Sequence, residues 1–404
     1  MKNPRVVFAF VEAGMGHIMP EKSIADAFEK KYGAYATVVR SDFFSETGEE
    51  PLMRLEQNFV KEVKKYNRCA AYGFLNIWMM KLLGPRLLSK MAMEWYVPGA
   101  GRAALAHMAD LRADMVVSTH WSTAYYAQKT VPRPINVNYV PDIHVIPLCR
   151  YPNDMTLVYT ERGYRRALSR YPRRFQENNL RRVGYAIRKE AFDLPRDRRE
   201  NRRALGLDEN KFTIVMFEGG YGLGRMRRIC RRLVKLDLPI TAVAICGQNK
   251  KLYDFLSGIK TGPSLTLVVE GFSDKTLCYL AAADVFLGKS GAASVAEPTF
   301  FGVAEIITKY ATEMEKDNAT YYIRDVKNAI RLMDPVRAVK KIEQWLVDPS
   351  ELHAMQENAA RARDGYGSEE TADVLWELLC KKFPELSGIK IPQTPKNGEN
   401  ETAP

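Results

Sequence analysis

Val6-Val7-Phe8-Ala9-Phe10-Val11-Glu12-Ala13-Gly14-Met15-Gly16-His17 stands near the start of the chain. Thr213-Ile214-Val215-Met216-Phe217-Glu218-Gly219-Gly220-Tyr221-Gly222-Leu223-Gly224 repeats its logic about half the chain later. In each, a short apolar run ends in a glycine-rich turn and a helical stretch follows. Such a run reads as a buried strand feeding a tight turn and a helix, the unit of ligand-binding α/β domains. Two such units imply two domains facing one cleft. The turns differ in what they present. The first ends in the ionisable His17, whereas the second offers glycines and the flanking Glu218. The first therefore points to chemistry and the second to phosphates.

Working outward, strand and helix alternate on both sides. Strands are expected at Val6–Val11, Thr37–Arg40, Met115–Ser118, Ile135–Tyr139 and Leu157–Tyr159, with helices including Pro20–Lys31 and Arg162–Ser169. The pattern restarts with Thr213–Phe217, Ile240–Cys246, Leu265–Glu270, Val285–Leu287 and Ala304–Ile307. Helices are expected from Leu223, Lys250, Thr276, Ala292 and Asp317, with three more helical segments after Val336. This alternation implies an α/β fold of parallel sheets with ligands at the carboxyl ends of the strands. A chain of 404 residues also exceeds what one core serves. Domains at 1–190 and 191–383 are expected, joined through the Arg-rich stretch 186–209 around Pro195. Residues 384–404, rich in Pro, Gly, Asn and Lys, read as a disordered tail.

Composition narrows the setting. A hydrophobic fraction of 46% with 27% charged residues is that of a soluble protein with real cores. The 6 cysteines form no close pair, which suits a reduced, cytoplasmic environment. No apolar stretch approaches the roughly 20 residues of a membrane span, and Val6–Val11 is too short for a signal peptide. The net charge of +12 is concentrated between Arg162 and Arg203. That concentration fits either a solvated face or an anionic membrane surface. No aromatic-interleaved basic motif points to nucleic acid.

Residues 72–95 break the alternation. Tyr72–Trp95 is a Met- and Trp-rich helical insertion interrupted by Lys81, Arg86 and Lys90. It fits either core packing or a greasy acceptor entrance on a bilayer, with Trp78 at the interface.

At the first turn, Gly14 and Gly16 allow close backbone approach, and His17 stands near a helix start with Pro20 in its first turn. The positive end of a helix dipole disfavours added charge on an imidazole placed there. At the second turn, the amides of the following helix offer a diphosphate site. No Lys-Ser or Lys-Thr follows as in a P-loop, and neither turn has a full dinucleotide fingerprint. A third such element, Gly288-Lys289-Ser290-Gly291, precedes a helix carrying Glu297.

Taken in order, these motifs resemble family 28 of the GT-B glycosyltransferases over most of residues 5–380. That family includes the lipid II GlcNAc transferase, monogalactosyldiacylglycerol synthases and diacylglycerol glucosyltransferases. Gly14-Met15-Gly16-His17-Ile18-Met19-Pro20 is similar to its amino-terminal Gly-His-x-x-Pro turn, which implies a catalytic or acceptor-binding His17. Glu218–Gly224 resembles the loop holding the donor diphosphate, which assigns Gly220, Tyr221, Gly222 and Leu223 to the donor. Gly271-Phe272-Ser273 is similar to the segment beside the uracil. The stretch from Gly288 to Pro298 resembles the donor motif, which implicates Lys289, Ser290, Gly291, Ser294 and the ribose-binding Glu297. Thr312–Asn318 keeps Glu315 and Asn318 but places Met314 where the family commonly has Gln, so the hexose stays open.

The resemblance implies two Rossmann-like domains around a cleft and inverting transfer of a hexose from a UDP-sugar to a lipid hydroxyl such as that of diacylglycerol. UDP-sugar is a co-substrate, and no cofactor is expected. No Asp-x-Asp pair offers a metal site, so helix dipoles and Lys289 are expected to replace an ion. His17 is the expected base, with Asp142 or His144 as orienter or reserve, and His120 and Trp121 lining the acceptor pocket. The enzyme is expected on the cytoplasmic membrane surface, with its oligomeric state open. The same fold accommodates transfer to a polyprenyl diphosphate or a soluble acceptor, and UDP-GlcNAc 2-epimerases.

Overall fold

The computed structural model describes residues 3–389 apart from 13–14, 84–86, 88–89 and 223. Gly14 and Leu223, two of the expected site residues, lie outside the described residues.

Two six-stranded sheets form, each wholly parallel. The first runs β2-β1-β3-β4-β5-β6, from β1 (Arg5–Phe10), β2 (Thr37–Asp42), β3 (Met115–Ser118), β4 (Ile135–Val140), β5 (Met155–Val158) and β6 (Leu180–Arg182). The second runs β12-β11-β10-β7-β8-β9, from β7 (Phe212–Phe217), β8 (Ile240–Ile245), β9 (Thr266–Glu270), β10 (Val285–Lys289), β11 (Ala304–Lys309) and β12 (Ala329–Arg331). Central strands are buried on both faces, as in β3 and in β8, whose every residue is buried. Helices cover both faces, so those strands are apolar along their length. Every expected strand is present within a few residues of its expected ends. The edge strands β6 and β12 add one to each sheet. The architecture is the expected α/β pair of Rossmann-like domains.

The boundary between the domains differs from the expectation. The helix Glu369–Lys382 returns to the first domain and packs on the helix Met15–Tyr32, with Trp376 stacked on Tyr32 at 4.6 Å. Leu375 and Leu379 join Phe8, Ile24 and Phe28 in one core. Residues 369–382 thus belong physically to the first domain. Residues 384–386, expected within a disordered tail, form a turn whose Leu386 is buried in that core. Residues 390–404 lie outside the described residues.

The insertion expected at 72–95 falls on the helix Ala70–Leu83 and a π-helical turn Met91–Trp95, preceded by the helix Glu50–Arg68. It reaches across to the second domain. Phe74 meets Tyr310 edge-on at 6.2 Å, and a side chain at Gly73 would strike the Ala311 carbonyl at 2.3 Å.

Part of the basic run is paired within the fold. Arg162 pairs with Asp325, Arg181 with Glu377, Arg182 with Glu161, Arg188 with Glu297, and Arg202 with Asp284. Some of the charge that suggested an anionic surface is therefore met by the protein's own carboxylates, most deeply at Arg188 and Arg202. Among the described residues, no helix is long and apolar enough to cross a membrane.

Candidate active site

The carboxyl ends of both sheets face a cavity of about 830 Å³. Its two walls differ in character. Phe59, Met91, Trp95, Tyr96, Trp121 and Leu148 make the first domain's wall largely apolar. The second domain contributes Gly219, Gly220, Tyr221, Lys289, Gly291 and Glu315. That wall is built from loops and helix starts, which present backbone amides and charge.

His17 lies on the first wall within the opening turn of the helix Met15–Tyr32. The helix begins five residues before Pro20, which therefore sits inside it instead of in its first turn. Nδ1 of His17 is 2.7 Å from the Thr119 carbonyl, and Thr119 Oγ1 donates back to the His17 carbonyl at 2.7 Å. A carbonyl oxygen only accepts, so Nδ1 carries the proton of the neutral ring. Nε2 is left with its lone pair, the form a general base requires.

Two expected neighbours converge on this ring. His120 meets it edge-on at 5.0 Å, and Asp142 lines the same wall. His120 Nδ1 accepts from the Ser122 backbone at 3.4 Å and contacts Ser122 Oγ at 2.6 Å, which caps the helix Trp121–Lys129. Burial, with His17 beside it, lowers the pKa of His120 well below the usual range. A positive charge on His120 is thus disfavoured beside His17. Burial pushes the carboxyl of Asp142 upward, while His17 and the Asn318 amide oppose that shift and Glu315 adds to it. Trp121 and Gly16 also line the cavity.

Two expected acceptor-side residues are placed elsewhere. His144 is off the cavity, where burial beside Arg166 and Arg162 pushes it down to about 4. Its electrostatic neighbours are on the helix Glu161–Arg170, so it is not positioned as a reserve base. Trp78, expected at an acceptor entrance, is 58% exposed and off the cavity, whose mouth is lined instead by Trp95 and Tyr96. Within the insertion Tyr72, Met91 and Trp95 line the cavity mouth, Met91 and Trp95 also being exposed, while Leu75, Trp78 and Leu82 are exposed away from the cavity.

On the donor side, Gly220, Tyr221, Phe272, Lys289, Gly291, Ser294 and Glu315 line the cavity. Gly222, Ser290, Glu297 and Asn318 stand behind it. Gly222 has φ +55° and packs so tightly that a Cβ would meet the Cys246 carbonyl at 2.2 Å. Ser290 Oγ donates to the Glu315 carbonyl at 2.7 Å. Glu297 accepts from Arg188 Nη2 at 3.1 Å, so the carboxylate expected on the ribose is engaged by the interdomain linker.

Glu218 changes the reading of the second turn. Its buried carboxylate accepts from the backbone amides of Arg225 and, at 3.2 Å, Met226. Gly224 makes room for it, since a Cβ there would lie 1.9 Å from Glu218 Oε1. The first amides of the helix Met226–Leu236 are thus capped by the protein's own carboxyl group, which burial pushes upward against the pull of those amides, instead of standing open for a diphosphate. The helix Ala292–Phe300 is different. Its N-cap Gly291 contributes no side-chain cap, and Gly291, Ala292 and Ala293 line the cavity. Beside it, Lys289 Nζ donates to Glu315 Oε1 at 2.6 Å, while Glu315 Oε2 accepts from the Ala311 amide at 2.6 Å. A helix start with a lysine beside it offers amide donors and positive charge to an anion.

Comparison with known proteins agrees with this arrangement. The chain is 24% identical over 385 residues to the chloroplastic monogalactosyldiacylglycerol synthase of Spinacia oleracea, covering 88% of this chain and 69% of that protein. It is 28% identical over 153 residues to the processive diacylglycerol beta-glucosyltransferase of Bacillus subtilis, covering 38% of this chain and 40% of that one. The structure of Acinetobacter baumannii MurG superposes with a TM-score of 0.59 at 14% identity, over 93% of this chain and all of MurG. The chain is a GT-B glycosyltransferase. No protein-family profile matches this transferase. The Staphylococcus aureus MnaA–UDP co-structure shares its fold, with a TM-score of 0.57 at 12% identity over 97% of this chain and all of that one. The resemblance of its motifs to family 28 is therefore matched by kinship along most of the chain.

Proposed function

We propose that this glycosyltransferase moves a hexose from a UDP-sugar to the hydroxyl of a diacylglycerol-like lipid, with inversion and without a metal, at the cytoplasmic face of a membrane. One observation carries the reading: a single cavity with an apolar wall and a wall of backbone amides and Lys289, lined also by His17, whose Nδ1 is held by the Thr119 carbonyl. The relatives named above act on diacylglycerol or form its galactolipid by name, and a fold relative was solved with UDP.

The chemistry follows from the geometry. His17 takes the acceptor's hydroxyl proton as its oxygen attacks the anomeric carbon. The bond to the UDP oxygen breaks, and the negative charge growing there is met by Lys289 and the amides at Gly291–Ala293. One displacement inverts the configuration. The acceptor's acyl chains lie along Trp121, Leu148 and the inward face of the insertion. Its outward face, with Leu75, Trp78 and Leu82 exposed and Lys90 5.5 Å above the ring of Trp95, suits a bilayer interface.

The test is UDP release from UDP-glucose, UDP-galactose or UDP-GlcNAc, with and without anionic vesicles containing diacylglycerol, with the product's anomeric configuration read by NMR. Vesicle-dependent release and an inverted product are expected. Absence of release with every lipid would end the lipid-transferase reading, and sugar interconversion without UDP release would replace it with an epimerase.

A further inference from the structure

Asn318 is fully buried on the helix Glu313–Tyr321 of the second domain, behind the cavity wall. Two of its three hydrogen bonds leave its own domain. Nδ2 donates to Asp142 Oδ1 at 3.1 Å, and Oδ1 accepts from the Ile143 amide at 3.2 Å. The third, Nδ2 to the Ser290 carbonyl at 3.3 Å, stays within it.

This pairing is chemically selective. One small side chain must donate to a carboxylate while accepting from the very next backbone amide. Asparagine does both; aspartate would set one carboxylate against another, and leucine would strand both partners. The same helix carries Glu315 on the cavity wall one turn earlier, tied to Lys289 and to Ser290. The anion-binding wall and the amide that grips Asp142 thus form one rigid piece. Flanking contacts across the domains, Arg162 to Asp325 at 2.7 Å and Arg166 to Asp317 at 3.9 Å, are solvent-exposed ion pairs. Pairs of that kind contribute little. An apolar cluster that brings Ile143 and Tyr159 against Ala319 and Tyr322 supplies the burial at this seam, and the amide is the buried polar contact beside it that reaches Asp142.

We infer that Asn318 is a closure latch, a positioning residue that fixes Asp142 beside His17 only when the two domains shut. It is not a ligand of the donor sugar, as its sequence context suggested. Proton abstraction is then conditional on closure, so a UDP-sugar held by an open molecule is not activated without an acceptor in place. The inference rests on the proposed transferase reading.

A double-mutant cycle tests it, with Asn318→Ala, Asp142→Ala and both together. Asn318→Ala should lower kcat about 10²-fold, the cost of small misplacement in an active site, while KM for UDP-sugar and UDP affinity stay near wild type. The double variant should be no slower than Asp142→Ala. Retained kcat with a raised donor KM would make Asn318 a sugar ligand and overturn the latch, as would strictly additive losses. Small-angle scattering with UDP present gives a readout independent of turnover. Asn318→Ala should have a larger radius of gyration than the wild type, and an equal one would refute the latch. Wild type that transfers no hexose would refute the transferase reading, while scattering would still decide the latch. Should Asn318→Ala fail to fold, Asp142→Asn preserves the acceptor oxygen. It should stay as compact as wild type with lowered kcat, and unchanged kcat would refute the positioning role.

Discussion

The two glycine turns meet at one cavity and use opposite means. The first exposes a side chain: His17 is held at Nδ1 by a backbone carbonyl and offers Nε2. The second withholds its ionisable group, since Glu218 is spent capping the helix behind it, and it presents backbone instead. One domain concentrates its contribution in a single ring; the other spreads it over amides, Lys289 and Glu315. Loss of one group on the first wall should therefore abolish chemistry, whereas loss of one on the second should weaken binding by degrees.

The largest effect expected is for His17→Ala. Turnover should fall about 10²- to 10⁴-fold, the usual contribution of a general base, with UDP affinity kept in a calorimetric titration. An equal collapse of UDP affinity would erase the division of labour between the turns. Next is Lys289→Ala, which removes a charged donor and leaves Glu315 held on the wall through the Ala311 amide and its own backbone. UDP affinity should weaken about 10- to 100-fold, the range for a hydrogen bond to a charged group, and unchanged affinity would take the leaving group away from this wall. Smaller again is the pair Trp78→Ser with Leu82→Ser on the insertion's outward face. Binding to anionic diacylglycerol vesicles in co-sedimentation should drop about 10-fold with UDP affinity untouched, as lost apolar burial predicts. Vesicle binding that ignores both changes would confine the insertion to lining the cavity.

The smallest effect concerns stability beneath the first turn. Glu21 is buried in the helix that carries His17, and burial pushes its carboxyl from 4.5 up to about 8, against the opposing pull of Arg40. The folded state keeps it protonated over a range in which the unfolded chain ionises it. Stability is therefore full below about pH 4.5 and is lost as the pH rises towards about 8. Glu21→Gln should raise the melting temperature more at pH 8 than at pH 5, and equal shifts at the two would remove Glu21 as the cause.

What was legible in the sequence follows from what each feature demands of individual residues. Strands such as β3 and β8, buried on both faces, need an apolar residue at nearly every position, and the eye finds them. The strands β6 and β12 have three residues each, one of them buried, and each ends in an arginine, so no period can form. Pro20 suggested a helix start because proline suits a first turn, yet the helix begins at Met15. The N–H that proline lacks would have met the Gly16 carbonyl, on the cavity wall where other groups can reach it. The site was legible where local motifs carry it, at His17 and at Lys289–Ser294. It was not legible where a partner lies far along the chain: Asn318 and Asp142 are 176 residues apart, and Arg188 and Glu297 are 109 apart. Glu218 left one trace, a glycine at 224 whose missing side chain is the space its carboxylate fills.

The return of the helix Glu369–Lys382 to the first domain has a consequence for synthesis. The ribosome produces Trp376, Leu375 and Leu379 after the whole second sheet, yet they complete the core built on Phe8 and Phe28. The half of the molecule that is made first is thus the half that is finished last. Until that final helix arrives, the helix bearing His17 keeps an apolar flank exposed to the cell's chaperones and proteases.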